Sequence, residues 1–155
     1  MRHGQSVADI EGRHEGQADF ALTQLGQRQA VLVAAWIGEY FPPGLVVSSP
    51  LQRSDQAIPG GESEIEFQSR VERTFLELQE LDGSRRVAVV AHGGTITMLF
   101  RAFLGLPLGA DMWITTGDTG IHRWQLAKEG RAILASNMTE HLAALTAERL
   151  GSTDG

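Results

Sequence analysis

This chain has no cysteine and only one lysine, and both shortages restrict the chemistry available to it. Without cysteine among its 155 residues, disulfides, thiol nucleophiles and cysteine-ligated zinc are excluded, and the cytoplasm is the default expected location. The single lysine, Lys128, lies in a predicted turn, so a P-loop lysine and a Schiff-base lysine have little support. Any anion is therefore expected to be bound by one of the twelve arginines.

Long apolar runs and an excess of positive charge are also absent. No apolar run approaches the roughly 18 residues needed to cross a bilayer, and no secretory leader pattern opens the sequence. The net charge of -6 disfavours a nucleic-acid surface, because neutralising phosphates requires a basic one. We expect one globular domain over residues 1–150, a flexible tail over residues 151–155, and neither membrane nor nucleic acid as a partner.

Helical and strand patterns alternate along the chain. Thr23 can cap an amphipathic helix that ends before Pro42, and Ser63 forms a capping box with Glu66 for another helix reaching about Leu81. The other predicted elements are strands at "GLVVSS" and "RRVAVVA", a helix from Thr95 to Leu104 closed by Gly105, a hairpin of "TGIHRWQLA" and "RAILAS" around Gly130, and a helix from Glu140 to Leu150. This alternation predicts an α/β fold, a three-layer α/β/α sandwich with a mainly parallel central sheet.

Two short motifs place a histidine beside glycine, Arg2-His3-Gly4 at the start and His92-Gly93-Gly94 after a predicted strand. Glycine lets the backbone approach a ligand closely, and the helix that follows "HGGT" offers N-H groups at its positive dipole end. Both features favour an anion.

Arginine and histidine chemistry narrows that anion to phosphate. Ser49-Pro50 predicts the start of a further helix, which places Arg53 just beyond the carboxyl end of a strand, where open α/β sheets bind ligands. The planar guanidinium groups of Arg2 and Arg53 have a geometry suited to donating two hydrogen bonds each to phosphate oxygens. A neutral histidine bonded to a carbonyl through one ring nitrogen can attack phosphorus with the other. Together these residues predict a phosphoryl-transfer site without a metal or other cofactor.

At these residues the sequence resembles the histidine phosphatase superfamily, which has the phosphoglycerate mutase-like fold. The matching motifs are "RHGQS", "GRHEGQAD" with "LTQLGQRQA", "SSPLQRS", "PGGES", "AHGGT" and "NMTEHL". The resemblance implies that His3 accepts the phosphoryl group, while Arg2, Arg53 and His92 hold its oxygens. It implies a metal-independent phosphatase whose ligands are a small phosphorylated metabolite and inorganic phosphate.

Several positions depart from the family pattern near the expected pocket. Asp9 replaces an asparagine that commonly helps to hold phosphate, and Glu15 replaces a neutral residue before Gly16. Arg13 belongs to the same motif, with a surface salt bridge as its alternative role. The predicted substrate-binding residues are Asp9, Arg13, Glu15, Gly16, Glu62 and Gly93.

Two segments usual in the family have no counterpart in this sequence. Met1 precedes Arg2 directly, where relatives have a strand, and Gln56 runs into Ala57, where relatives have an insertion that carries a glutamate acid. Glu62 is the nearest substitute for that acid, and its alternative role is a helix-start carboxylate. We expect the 155 residues to be part of a longer chain, which an intact mass equal to theirs would contradict.

Other functions remain as alternatives at this point. A mutase would return the phosphoryl group to its substrate, and a weak phosphoester-binding or regulatory domain is favoured by Asp9 and the missing acid. An esterase is disfavoured because no GxSxG motif is present. His14, His122 and His141 are interpreted as structural or exposed, and no HExxH motif supports a metal site. The substrate and the oligomeric state stay open, with a homodimer among the options.

Overall fold

The computed structural model describes residues 1–12, 20–48, 63–81 and 85–146. Within these ranges the elements are α1 (Val7–Glu11), α2 (Gln24–Tyr40), β1 (Leu45–Ser48), α3 (Glu64–Glu80), β2 (Val87–Val90), α4 (Gly93–Leu104), β3 (Ile121–Ala127), β4 (Gly130–Met138) and a 3-10 helix (Glu140–Leu142). The α/β class is confirmed. The predicted helix around Arg53 and the predicted tail over residues 151–155 lie outside the described residues.

The first three residues lie between two short sheets. Strands β1 and β2 pair in parallel, and β3 and β4 form an antiparallel hairpin. Arg2 bridges Ala91 in parallel just beyond β2, and its backbone N-H donates to the Gly120 carbonyl just before β3, at 3.1 Å. The Arg2-His3-Gly4 motif therefore begins in the gap between the end of β2 and the start of β3.

Capping chemistry sets the ends of the helices, largely where the sequence predicts them. The Thr23 side chain accepts a hydrogen bond from the Gly26 N-H at 3.0 Å and starts α2. Ser63 and Glu66 form the predicted capping box, and α3 ends at Glu80, one residue before the predicted end. Since Ser63 and Thr23 act through local hydrogen bonds, their roles could be read without knowledge of the fold.

One helix start differs from the prediction, and one predicted helix end lies outside the described residues. Helix α4 starts at Gly93 rather than Thr95, because His92 takes the N-cap position with φ -92° and ψ 161°. Glycine has low helix propensity, but the first turn has few intrahelical bonds to lose, so Gly93 and Gly94 are helical. After the 3-10 helix the backbone is helical to residue 146, and residues 147–150 of the predicted last helix lie outside the described ranges.

The described core forms where α3 and α4 pack together. Val71, Met98 and Leu99 are buried, with Phe75 and Trp124 among the side chains against them. None of the described helices combines the length and the apolar character that crossing a membrane requires. Packing through Met98 and Leu99 fixes α4 and, with it, the His92 end of that helix.

Candidate active site

The ring of His3 is held in one tautomer by its neighbour in the chain. Its Nδ1 lies 2.7 Å from the carbonyl oxygen of Gly4. A carbonyl oxygen only accepts hydrogen bonds, so in the neutral ring Nδ1 carries the proton and Nε2 carries the lone pair. This is the arrangement in which Nε2 of His3 can act as a nucleophile.

His92 lies against His3, although the two residues are far apart in the sequence. The ring centroids are 4.4 Å apart, and the planes are tilted by 55°. His92 is buried and caps the N-terminus of α4 with its backbone. The predicted pair of histidines is thus together at the positive end of a helix dipole, an environment that favours a bound anion.

Gly4 makes a close backbone contact that the sequence does not predict. A Cβ atom at Gly4 would lie 2.3 Å from the carbonyl oxygen of Gly26, and one at Gly26 would lie 2.0 Å from that of Gln5. The absent side chains therefore let α2 approach the backbone of the His3 motif. Gly93 is less crowded, since a Cβ there would meet Thr116 Cγ2 at 3.6 Å.

The guanidinium group of Arg2 already has carboxylate neighbours. Nη2 forms an ion pair with Asp9, while Nη1 lies 3.5 Å from Asp118 Oδ1 and 3.4 Å from the Thr116 carbonyl. Its Nε is buried and has no hydrogen-bond partner among the residues that the structure describes. Protein groups therefore orient the guanidinium group of Arg2.

Asp9 is held in place by hydrogen bonds as well as by charge. Its Oδ2 accepts from the Ser6 N-H at 2.7 Å and from the Ser6 hydroxyl at 2.8 Å, completing the capping box of α1. Burial acts to raise the pKa of Asp9, but the bonds from Ser6 and the charge of Arg2 outweigh burial and lower it. The resulting carboxylate is charged and forms the ion pair with Arg2.

A loop over residues 116–120 completes the described site, and the sequence does not predict its role there. Besides contacting Arg2, this loop donates the Thr119 N-H to the His3 carbonyl at 2.9 Å. Asn137 fixes the loop by accepting from the Gly117 N-H at 2.8 Å. The letters "TTGDTG" are typical of a turn, but no signal in them indicates contact with Arg2 and His3.

Several predicted site residues cannot be placed. Arg53, Arg13, Glu15, Gly16 and Glu62 lie outside the described residues, so their roles stay predictions. In the described part of the chain, no group of three or more acidic or histidine side chains is arranged to hold a metal ion. The residues that the structure does bring together are His3, His92, Arg2, Asp9 and Gly93.

A comparison with protein families finds a match over most of the chain. The model of the histidine phosphatase superfamily (branch 1) matches residues 1–58 and 54–139. The two matched stretches overlap over residues 54–58, around Gln56, where the sequence predicts a missing insertion. Together they contain both histidine motifs.

Individual relatives point to the same family. A glucosyl-3-phosphoglycerate phosphatase of Mycolicibacterium vanbaalenii is 30% identical over 192 residues, covering 85% of this chain and 84% of that protein. Two solved structures share the fold. One is a mycobacterial glucosyl-3-phosphoglycerate phosphatase with VO3, at TM-score 0.72, 23% identity and coverage of 89% and 97%. The other is a mutant of the phosphoserine phosphatase of Entamoeba histolytica with phosphoserine, at TM-score 0.73, 19% identity and coverage of 91% and 96%.

Proposed function

Because this chain belongs to the histidine phosphatase superfamily, we propose that it hydrolyses a small phosphomonoester through a phosphohistidine at His3. The observation that carries the proposal is the pairing of His3 and His92, with ring centroids 4.4 Å apart. The bond from His3 Nδ1 to the Gly4 carbonyl leaves Nε2 as the nucleophilic nitrogen. The names of the relatives support a small phosphorylated metabolite as the substrate class.

In the first step, the lone pair of His3 Nε2 attacks phosphorus, and the bond between phosphorus and the ester oxygen breaks. Arg2 and His92 stabilise the charge on the equatorial phosphoryl oxygens, together with the N-H groups at the start of α4. Arg53 is proposed to join them. The departing oxygen takes a proton from a general acid, for which Glu62 stays the proposed residue.

In the second step, water attacks the phosphorus atom of the phosphohistidine and gives a proton back to the residue that protonated the leaving oxygen, for which Glu62 stays the proposed residue. The bond between His3 Nε2 and phosphorus breaks, inorganic phosphate leaves, and the ring recovers its lone pair. Nδ1 keeps its proton throughout, because the Gly4 carbonyl accepts it at 2.7 Å. The same contact favours the positively charged ring in the phosphorylated intermediate, since the proton on Nδ1 is then more acidic and its hydrogen bond stronger.

A second candidate, a weak phosphoester-binding domain, is favoured by one specific observation. Both Asp9 and Asp118 lie against the Arg2 guanidinium. A phosphate dianion must share Arg2 with these carboxylates or displace them, which weakens its binding. Without an efficient acid, turnover would also fall by about 10²-fold to 10⁴-fold. Such a domain would bind orthovanadate and show no turnover.

The proposal is tested by quenching the protein during turnover of p-nitrophenyl phosphate. We expect an acid-labile, base-stable phosphoryl adduct that is absent from His3→Ala, and activity that EDTA leaves intact. A His3→Ala variant that folds normally and hydrolyses the ester as fast as the parent would refute the mechanism. A panel with phosphoserine and glucosyl-3-phosphoglycerate then ranks substrates by kcat/KM.

A further inference from the structure

The 116–120 loop holds two different groups of the proposed catalytic machinery. The Thr116 carbonyl and the Asp118 carboxylate face the guanidinium of Arg2 at 3.4 Å and 3.5 Å. The N-H of Thr119 donates to the His3 carbonyl at 2.9 Å. Whatever fixes the backbone of this loop therefore fixes the position of both Arg2 and His3.

Thr119 has a backbone conformation that its own side chain disfavours. Its φ is +52°, in the left-handed region, where a β-branched residue is an outlier. The residue is also completely buried. Such a conformation is energetically unfavourable and persists only where surrounding contacts impose it. The contacts that hold Thr119 are therefore the ones that set the geometry of the loop.

The hydroxyl group of Thr119 has two such contacts. Oγ1 lies 2.7 Å from the Asp118 carbonyl and 2.8 Å from Nε2 of His141. The single hydroxyl hydrogen is donated to the carbonyl, which can only accept, so Oγ1 accepts a hydrogen from His141 Nε2. His141 thus donates to Thr119, and Thr119 donates within its own loop.

The surroundings of His141 fit the neutral tautomer that this chain of hydrogen bonds requires. The residue is buried, with Trp36 of α2 at a centroid distance of 6.1 Å. Its Nδ1 is buried and has no hydrogen-bond partner among the described residues. A buried lone pair without a partner on Nδ1 is less unfavourable than a buried, positively charged N-H without a partner. Burial accordingly lowers the pKa of His141.

We propose that His141 is a positioning residue for the active site, acting through Thr119 on the loop that orients Arg2 and His3. The inference deepens the proposed phosphatase function and rests on it. Without the His141 hydrogen bond, Thr119 can relax toward negative φ. Its N-H then turns away from the His3 carbonyl, and Asp118 leaves Arg2. The nucleophile loses its alignment although His141 never touches the substrate.

The side chains of glutamine and asparagine provide a matched test. In His141→Gln the amide nitrogen occupies the place of Nε2 and can still donate to Thr119, whereas in His141→Asn the shorter side chain reaches only the place of Nδ1. We expect His141→Gln to keep most of the parent kcat/KM toward p-nitrophenyl phosphate. His141→Asn should lose about 10²-fold, mainly in kcat, as a misplaced reacting group does.

A second pair of variants addresses the hydroxyl group. Thr119→Val keeps the shape of the side chain and removes Oγ1, so it should reproduce the loss seen in His141→Asn, and the double variant should be no slower than either single one. Thr119→Ser should retain activity. Thr74→Val makes the same change in an exposed hydroxyl of α3 that bonds to the Arg70 carbonyl, and its kcat/KM should equal that of the parent.

A purely structural role for His141 predicts different results. Val71→Ala opens the core and should lower Tm while leaving kcat/KM unchanged at a temperature where it is folded. The inference is overturned if His141→Asn behaves like Val71→Ala, or if the losses in Thr119→Val and His141→Asn multiply in the double variant.

If the parent itself has no turnover, the proposed function fails, but the rate of hydrogen exchange at the Thr119 amide still tests the role of His141. Faster exchange in His141→Asn than in His141→Gln supports the inference, and equal exchange contradicts it.

Discussion

The guanidinium group of Arg2 forms an ion pair with the carboxylate of Asp9 inside the proposed phosphate site. The cation expected to bind the substrate thus has an anionic partner before any substrate arrives. In the sequence, Asp9 stands where relatives commonly have an asparagine that helps to hold phosphate. Its ion pair with Arg2 adds the expectation that Asp9 competes with phosphate for the arginine.

Asp9→Asn should strengthen phosphate binding. The amide oxygen can still accept from Ser6 and preserve the start of α1, while the negative charge beside Arg2 is removed. We expect the Kd for orthovanadate and the KM for p-nitrophenyl phosphate to fall several-fold. The control is Glu77→Gln, which removes an exposed charge on α3 and should change neither constant. Weaker vanadate binding in Asp9→Asn would mean that the carboxylate supports the site.

Acid should remove part of the stability that Asp9 provides. The pKa of Asp9 is lowered from 3.8 in the folded chain, where hydrogen bonds from Ser6 and the charge of Arg2 outweigh burial. The stabilisation is thus fully present above pH 3.8 and is lost as the pH falls through the depressed pKa. The free energy of unfolding, measured by denaturant titration, should fall more steeply below pH 3.8 in the parent than in Asp9→Asn. Parallel curves would contradict this prediction.

His122 should make the chain sensitive to acid at a higher pH. Burial lowers its pKa from 6.5 to about 4, and its Nδ1 accepts from the Asn137 N-H at 3.3 Å, a bond that protonation would break. The unfolded chain binds this proton below pH 6.5, so stability should decline from there toward pH 4. The slope is at most about 1.4 kcal/mol per pH unit. In His122→Asn, whose amide oxygen can replace Nδ1, the slope over this range should be shallower.

Gly4→Ala should destabilise the chain and displace His3. The new Cβ would lie 2.3 Å from the Gly26 carbonyl oxygen, so the backbone of α2 or of the His3 motif must move. We expect a loss of about 1–3 kcal/mol in unfolding free energy, together with reduced kcat. Gly38→Ala is the matched control on α2, since its Cβ meets nothing within 4 Å, and it should be neutral or stabilising. Equal stability for the two variants would refute the close contact.

The predictions from sequence succeeded where the physical cause is local. The helix starts at Thr23 and Ser63 depend on hydrogen bonds within one turn, and the two histidine motifs are contiguous in the chain. The contact of the Thr116 carbonyl with Arg2 and the bond of Thr119 to His141 depend on long-range packing. No sequence pattern around Thr119 predicts its left-handed backbone conformation, because the contacts that impose this conformation come from a different part of the chain.

The proposed role of His3 is tested most directly by the position of the phosphoryl group on its ring. The bond from Nδ1 to the Gly4 carbonyl predicts that the adduct trapped during turnover is attached to Nε2 of His3. Alkaline digestion followed by ³¹P NMR distinguishes the two phosphohistidine isomers, and mass spectrometry assigns the residue. Phosphate on Nε2 of His3 is the predicted result. A phosphoryl group on Nδ1, on His92 or on no histidine would contradict the account.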